Sequence, residues 1–375
     1  MVLTATQRAI RDAIRAFAQA RIKPHSAAFE QARGYPPSLF EEMAGLGLMG
    51  MTAPEEVGGA GADYVSYALA LMEIAAADGA LSTVLSIQNS LVIASLLKDG
   101  TSEQQARFLP DLLAGRMIGA FALTETDAGS DASAIRTRAQ RGDGGYRLNG
   151  TKQFISCGKI AGIAIVYAVT DPAAGKRGIS GFIVPTGTSG YAVDKVEHKL
   201  GQGASDTCAI RFEDMFIEEA LRLGAEGAGY GIALSNLEMG RIGIAAQSIG
   251  MAQAALDIAI DYAKERKSFG KPIIEHQAVG FRLADLAARL EAAQQLVLHA
   301  AAMKDAGLPS LKEASMAKLV ASETAEAVVS GAIQTLGGYG YLEEFRIAKI
   351  YRDVRVCQIY EGTSDIQRMV IARAL

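Results

Sequence analysis

Apolar residues recur along this chain with two different periods, and the period changes twice. From residue 1 to about 119 the spacing is helical, and Thr4 with Gln7 forms a capping box ahead of the first apolar stripe. From about 120 to 226, short runs rich in Val, Ile, Phe and Tyr are separated by turn residues, which is typical of strands. From about 227 to the end, apolar residues again step by three and four, which predicts long helices.

These patterns predict an α+β multidomain fold. We expect an N-terminal all-α domain over 1–119, a central antiparallel β domain (a sandwich or a barrel) over 120–226, and a C-terminal four-helix bundle over 227–375. The strand-like runs "GGYRLNGTKQFIS", "IAIVYAVTD", "GISGFIVPTG" and "TCAIRFEDMFI" follow one another without long helices between them. Such spacing favours antiparallel pairing. A cleft where three units meet is a natural ligand site.

The stretch "GLGLMG" at 45–50 has the literal spacing of a dinucleotide-binding turn. That turn requires a preceding strand and a following helix, whereas a capping box at Ser38 and Glu41 predicts a short helix running into Gly45. A Pro/Gly-rich loop follows. We therefore interpret the motif as a helix end with a left-handed glycine cap at Gly45, and expect any nucleotide to bind elsewhere.

Charge and composition disfavour several classes of function. Lys and Arg total 37 against 41 Asp and Glu, a net charge of −4, which disfavours nucleic-acid binding. The longest charge-free apolar stretch, 79–97, contains Ser, Thr, Gln and Asn throughout, so we predict a buried helix and no membrane span. Three scattered cysteines favour a reducing compartment, and four scattered histidines show no metal-ligand spacing.

The C-terminal stretch "VRVCQIYEGTSDIQR" carries the strongest candidate for chemistry. Val354 to Tyr360 has an extended pattern, and Ser364 with Gln367 predicts a capped final helix. Glu361 lies in the turn between them, where partial burial would raise the pKa of its carboxyl and suit it to act as a general base. The alternative is an ordinary exposed glutamate in a turn.

Several long motifs resemble the acyl-CoA dehydrogenase family. "IYEGTSDIQR" is similar to its C-terminal signature, "FALTETDAGSDASAIRTRA" to its flavin loop and "NGTKQFISCG" to the strand after that loop. "GQGASDTCAIRFEDMFI", "ERKSFGKPIIEHQ" and "QTLGGYGYLEE" match further blocks in order, and the resemblance spans essentially the whole chain. "LEMGRIGIAAQSIG" and "SIQNSLV" resemble the short-chain members most.

The resemblance implies FAD, an acyl-CoA substrate, an electron-transfer flavoprotein as partner and a homotetramer built as a dimer of dimers. It implies that Glu361 takes the α-proton of the thioester while a hydride passes from the β-carbon to the flavin N5, giving a trans-2-enoyl-CoA. The thioester oxygen would be held by the flavin ribityl hydroxyl and by the backbone N–H of Glu361. The implied location is the bacterial cytoplasm or, as an alternative, the mitochondrial matrix.

Motif positions carry over to individual residues as expectations. The implied FAD contacts are Phe121, Leu123, Thr124, Ser130, Phe154, Ser156, Arg266, Ser268, Phe269, His276, Gln277, Gln334, Gly337, Gly338, Thr363 and Asp365. Of these, the segment from Arg266 and the "QTLGG" stretch would reach the FAD of a neighbouring subunit. The implied substrate contacts are Ser130, Glu238, Arg241, Tyr360 and Gly362. Core packing is the alternative for Phe121 and Phe154, and helix salt bridges are the alternative for Glu238 and Arg241.

Two positions bear on how the family pattern applies. Some members carry the base on an earlier helix, at the position that matches Gly240. Glycine cannot act as a base, so Glu361 is the remaining candidate. The flavin loop usually has proline where this chain has Thr126, which puts the rigidity of the loop in doubt.

The expected substrate is a short straight-chain acyl-CoA, with short branched or cyclic acyl groups as the alternative. Glutaryl-type members bind a distal carboxylate through an arginine of the N-terminal domain, and this chain has no arginine between Arg33 and Arg107. A related flavin oxidase that uses O₂, or a scaffold that has lost the chemistry, are the other functions considered.

Overall fold

The computed structural model describes all residues 1–375, and the first part of the chain is helical. Helices α1 to α7 are Ala5–Phe17, Ser26–Ala32, Pro37–Gly45, Tyr64–Ala77, Gly79–Ser86, Ala94–Asp99 and Ser102–Leu113. The π-helical segment Ile87–Ile93 joins α5 to α6, so a continuous helical rod runs over 79–99. The predicted buried helix at 79–97 therefore forms.

Eight strands make up the central sheet. They are β1 to β8: Gly119–Ala122, Arg138–Gly142, Gly145–Ser156, Ile163–Val169, Ile179–Pro185, Tyr191–Val196, Thr207–Glu218 and Arg222–Leu223. The order is β6-β7-β3-β2-β4-β5-β8, with β1 also beside β4, so the sheet is open and not a closed barrel. Most pairs are antiparallel, as predicted, but β4 runs parallel to both β1 and β2. Strand spacing did not predict those two parallel pairs.

The last part of the chain is again helical. Helices α8 to α12 are Gly229–Glu265, Gln277–Asp305, Leu311–Leu336, Arg346–Val354 and Ser364–Arg373, and a small hairpin of β9 (Lys267–Ser268) and β10 (Lys271–Pro272) separates α8 from α9. The three long helices pack on one another, and α11 and α12 pack against α10. The predicted sequence of helices, sheet and helices is confirmed.

Helix α8 positions the site because it contacts every part of the molecule. It packs against α4 and α5 on one side, against α9 and α10 on another, and against β5 near its start. One continuous cluster of buried apolar side chains runs through the helices and the sheet. Two helical stretches, Gly79–Asp99 and Gly229–Glu265, are long and apolar enough to cross a membrane, and 89% and 83% of their apolar windows are buried inside the protein.

Local predictions had mixed outcomes. The capping box of Thr4 and Gln7 is present. The helix before "GLGLMG" is also present, but Ser38 does not cap it, because the extended Pro36 is the N-cap and Pro37 begins the helix, two residues earlier than predicted. The left-handed residue after this helix is Gly47, with φ of 74°, and not Gly45, which is the last helical residue. The motif is a helix end, as interpreted.

Candidate active site

Glu361 lies in a tight turn between the 3₁₀ segment Arg355–Gln358 and α12. Both Glu361 (φ 52°) and Gly362 (φ 91°) are left-handed, and this conformation costs a non-glycine residue on the order of 1 kcal/mol or more. Lys318 Nζ donates to the carbonyl of Gly362 at 2.7 Å, and Gln367 Nε2 donates to the same oxygen at 2.9 Å. Two fully buried side chains therefore hold the strained turn in place.

The approach to this turn differs from the prediction. Val354 to Tyr360 is not extended, because α11 runs to Val354 and a 3₁₀ turn follows. Val354 and Cys357 are both fully buried three residues apart, so packing overrides the strand preference of the valines. The cap of α12 is Thr363, whose hydroxyl accepts the N–H of Ile366 at 3.3 Å; Ser364 is already helical.

The Glu361 carboxyl group has the environment of a base. Its Oε2 is buried and has no hydrogen-bond partner in the protein. Burial raises the pKa of the Glu361 carboxyl to about 7, although the nearby charges of Lys318 and Arg241 act to lower it. A carboxylate with a pKa near neutrality, and with an unused acceptor oxygen, is suited to accepting a proton at physiological pH.

Gly240 of α8 provides the room that this carboxylate occupies. A Cβ atom built on Gly240 would lie 1.8 Å from Glu361 Oε2, well inside van der Waals contact. The carboxylate therefore packs directly against bare helix backbone, and any side chain at 240 would displace it.

Glu361 opens onto a cavity of about 200 Å³ between the three parts of the chain. Ten of the predicted site residues line it: Phe121, Leu123, Thr124, Ser130, Phe154, Ser156, Arg241, Tyr360, Glu361 and Gly362. The lining residues that sequence reasoning missed include Thr83, Ile87, Leu91, Leu234, Leu237 and Ile366. The first three come from the polar-interrupted stretch 79–97, whose hydroxyls among apolar residues were the available signal.

Comparisons with known proteins identify the family to which this architecture belongs. The N-terminal, middle and C-terminal domain models of acyl-CoA dehydrogenases match residues 4–116, 120–215 and 227–375. An acyl-CoA dehydrogenase of Bacillus subtilis is 46% identical over 100% of this chain and 99% of that protein. The chain belongs to the acyl-CoA dehydrogenase family. The resemblance read from the motifs is thus confirmed.

Further relatives show which members of the family this chain is similar to. The human short-chain specific acyl-CoA dehydrogenase, named as mitochondrial, is 44% identical over 99% of this chain and 90% of that protein. A subunit of a caffeyl-CoA reductase-Etf complex from Acetobacterium woodii is 44% identical over 92% of this chain and 91% of that protein. The solved butyryl-CoA dehydrogenase of Megasphaera elsdenii superimposes with a TM-score of 0.97 at 40% identity, covering 100% of this chain and 99% of that chain.

Acyl-CoA dehydrogenases are FAD-dependent, and the cavity rim fits a planar aromatic cofactor. Phe154 is 62% exposed at this rim and adopts φ of 59°, so a large apolar ring is presented outward by an unfavourable backbone conformation. An uncovered aromatic ring beside apolar Phe121 and Leu123 is a suitable stacking surface for a ring such as isoalloxazine. The cofactor would supply the redox chemistry at this rim.

The flavin loop is fixed without the usual proline. Glu125, one residue before Thr126, accepts backbone N–H groups of Arg136 at 2.6 Å and Thr137 at 3.0 Å. The buried Lys152 Nζ donates to Glu125 at 2.7 Å and to the Leu123 carbonyl at 2.9 Å. A buried ion pair therefore joins both ends of the loop to β3, which answers the doubt raised by Thr126.

A second group of predicted FAD residues lies away from this cavity. Arg266, Gly337 and Gly338 line a separate cavity of about 410 Å³. Ser268 is within 3.1 Å of His276, and Phe269 is 95% exposed at the tip of the β9–β10 hairpin. Gln277 and Gln334 are exposed near these residues along the chain. Their role toward a neighbouring subunit stays a prediction.

The remaining predicted residues have local partners. Glu238 accepts Ser310 Oγ–H at 2.7 Å and pairs with Lys304 at 3.3 Å, away from the cavity. Arg241 lines the cavity, and its buried Nε has no partner, while burial lowers the pKa of its guanidinium. Thr363 caps α12, and Asp365 is exposed and pairs with Arg368. The guanidinium is partly paired, because its Nη1 donates to Ser315 Oγ at 3.4 Å. Its buried Nε–H is left to contact an anion or a carbonyl, whereas Glu238 is occupied by other side chains.

Proposed function

We propose that this chain is a short-chain acyl-CoA dehydrogenase in which Glu361 removes the α-proton of the thioester. The observation that carries the proposal is the Glu361 carboxylate: an unpartnered oxygen, a pKa of about 7 and a strained turn that aims it at the cavity. Family membership supports FAD-dependent dehydrogenation of an acyl-CoA. Bound FAD would supply the redox chemistry, as the acceptor of the hydride from the β-carbon.

The thioester needs help to lose its α-proton, because a carboxylate is a weak base. The backbone N–H of Glu361 has no acceptor within the protein, so it is free to donate to the thioester oxygen as negative charge develops there. The base and this donor belong to the same residue, so the turn fixes the geometry of both. The apolar walls exclude water, which strengthens each interaction.

The cavity favours a short, uncharged acyl group. Its walls include Ile87, Leu91 and Leu237, and it contains Thr83 and Tyr360, whose hydroxyls are both hydrogen-bonded to Gln247. Arg241 and Glu361 are the only charged residues that line it, and neither comes from the N-terminal helices. A distal carboxylate would find no cation from that domain, so a dicarboxyl substrate is disfavoured.

The decisive experiment is anaerobic reduction of the bound flavin by a panel of acyl-CoAs. We expect bleaching by butyryl-CoA, the highest kcat/KM on short straight chains, and loss of bleaching in Glu361→Gln, which keeps the shape and removes the base. Short branched or cyclic acyl-CoAs are the alternative best substrates. Near-normal turnover by Glu361→Gln, or the highest kcat/KM on long chains, would contradict the proposal.

The electron acceptor is proposed to be an electron-transfer flavoprotein. The Acetobacterium relative, a subunit of a complex with Etf, supports this choice. Slow reoxidation of the reduced flavin in air, with fast reoxidation by an electron-transfer flavoprotein, is expected. Fast reaction with O₂ would indicate the oxidase alternative, and purification without flavin would indicate a scaffold.

The assembly is proposed to be a homotetramer, which is typical of the family. The Arg266 and Gly337–Gly338 segment would then contact the FAD of a neighbouring subunit. Light scattering coupled to size exclusion measures the mass, and a monomer that retains FAD would contradict this arrangement.

A further inference from the structure

Three buried side chains and the half-buried Tyr360 close a ring of hydrogen bonds behind the turn that carries Glu361, called here the catalytic turn (residues 360–362). Gln247 Nε2 donates to Thr83 Oγ1 at 2.7 Å, and Thr83 donates to Gln202 Oε1 at 2.7 Å. Gln202 Nε2 donates to Tyr360 Oη at 3.3 Å, and Tyr360 donates to Gln247 Oε1 at 2.8 Å. Each hydroxyl in the ring accepts one bond and donates one, so the four bonds point the same way around and reinforce one another.

The ring joins all three parts of the chain. Thr83 lies on α5, Gln247 on α8 and Tyr360 in the catalytic turn, while Gln202 comes from the loop between β6 and β7. Gln202 is thus the contribution of the middle domain, and it reaches across a domain boundary to the residue next to Glu361.

Gln202 is itself held in an unfavourable conformation. It is 4% exposed, and its backbone has a φ of 53°, a value that residues other than glycine rarely adopt. Asp353 holds it there: its carboxylate accepts the backbone N–H of Gln202, and its carbonyl accepts Gln202 Nε2 at 3.2 Å. Asp353 pairs in turn with Lys349 at 2.6 Å, and Lys349 lies 3.3 Å from the buried Asp78 of the N-terminal helices.

We propose that Gln202 is a positioning residue for the catalytic turn. By fixing the hydroxyl of Tyr360, it keeps the backbone of the next residue in the left-handed conformation that aims the Glu361 carboxylate. The inference rests on the proposed function, in which Glu361 is the base. Backbone strain at both Gln202 and Glu361 persists because this buried network over-determines it.

The test uses the holoenzyme and the variant Gln202→Met, which keeps the side-chain length and removes both the amide oxygen that accepts from Thr83 and the amide nitrogen that donates to Tyr360. In anaerobic stopped-flow reduction by butyryl-CoA, the limiting rate constant is expected to fall about tenfold. The apparent dissociation constant of the substrate is expected to change less than about threefold, since the ring orients the base more than it binds substrate.

Tyr360→Phe breaks the same ring at the next residue and is expected to cause a similar loss. The double variant is then expected to lose about tenfold rather than the product of the two losses, because both changes disable one unit. If Gln202→Met fails to yield holoenzyme, Thr83→Val breaks the ring at the residue that donates to Gln202, at nearly constant volume, and is expected to give the same loss.

The matched control is Gln104→Met. Gln104 is also 4% exposed, and its amide donates to the carbonyls of Ala220 and Arg222, far from the turn. It should lower the melting temperature without lowering the reduction rate. The inference would be overturned if the flavin of Gln202→Met were reduced at the wild-type rate, or if the two losses multiplied in the double variant. If Glu361→Gln were also fully active, the proposed function itself would fail; an inactive Glu361→Gln beside a normal Gln202→Met refutes only the positioning role.

Discussion

Replacing Glu361 by glutamine is expected to stabilise the folded protein at neutral pH while it removes the base. The carboxyl has an ordinary pKa of 4.5 and a pKa of about 7 in the folded protein. Because the folded state holds the proton more tightly than the unfolded state, the contribution of this carboxyl to the free energy of unfolding is fully present below pH 4.5. It then declines as the pH rises through the window from 4.5 to about 7. The difference between 7 and 4.5, at about 1.4 kcal/mol per pH unit, amounts to about 3 kcal/mol.

Glutamine carries no charge at any of these pH values, so the variant avoids this loss. We expect the free energies of unfolding of wild type and Glu361→Gln to agree near pH 4.5. Above pH 7 the variant should be more stable by about 3 kcal/mol. Denaturant unfolding of the holoenzyme in excess FAD at pH 5, 6, 7 and 8 measures this difference.

The control is Glu41→Gln, which makes the same chemical change at an exposed position on α3, outside the predicted site residues. It reports the general effect of removing one charge, and that effect is subtracted. A Glu361→Gln stability difference that does not depend on pH would refute the reasoning, because the gain would then come from packing and not from a buried ionisation.

Further predictions follow from the same site. Gly240→Ala places a Cβ 1.8 Å from Glu361 Oε2, so flavin reduction should slow about 100-fold, whereas Gly231→Ala on the same helix, where a Cβ meets nothing within 4 Å, should reduce normally in the same stopped-flow assay. Lys152→Met leaves Glu125 buried without its ion partner and should weaken FAD binding to the apoprotein by at least tenfold in a fluorescence titration; Lys195→Met, which breaks the exposed pair with Glu197, should not. Gln247→Ala should open space behind Thr83 and Tyr360 and shift kcat/KM toward longer acyl chains, and an unchanged chain-length profile would argue against a closed end there. In free wild-type enzyme, kcat/KM for butyryl-CoA should rise with pH and level off above about pH 7, the pKa of Glu361, and a flat profile from pH 5 to 8 would exclude this carboxyl as the base.

The motifs predicted much of this molecule because they record local requirements. The order of helices, sheet and helices follows from the period of the apolar residues, and the capping box at Thr4 from local hydrogen bonds. The family follows from long motifs, and ten residues named from them line one cavity. The glycine motif at 45–50 was interpreted correctly as a helix end, although its left-handed residue is Gly47.

Other features required contacts between residues distant in the chain. The valines before Tyr360 suggested a strand, but their burial against α10 and α8 makes this segment helical. Thr126 suggested a loose flavin loop, yet Lys152, 27 residues from Glu125, ties it down. The parallel pairing of β4 with β1 and β2 likewise depends on how the sheet is assembled, which strand spacing does not record.

The sequence by itself determined the family, the kinds of element and the identity of the candidate base, because motifs, periodicity and caps are properties of neighbouring residues. Only the tertiary structure decided what makes Glu361 a suitable base. Its raised pKa comes from burial among three parts of the chain, its space comes from the bare backbone of Gly240, and its turn is held by Lys318 and Gln367. Gln202, which the sequence did not single out, enters the site only because folding brings it to Tyr360. Burial and long-range hydrogen bonds are set by the packing of distant segments, so no local pattern specifies them.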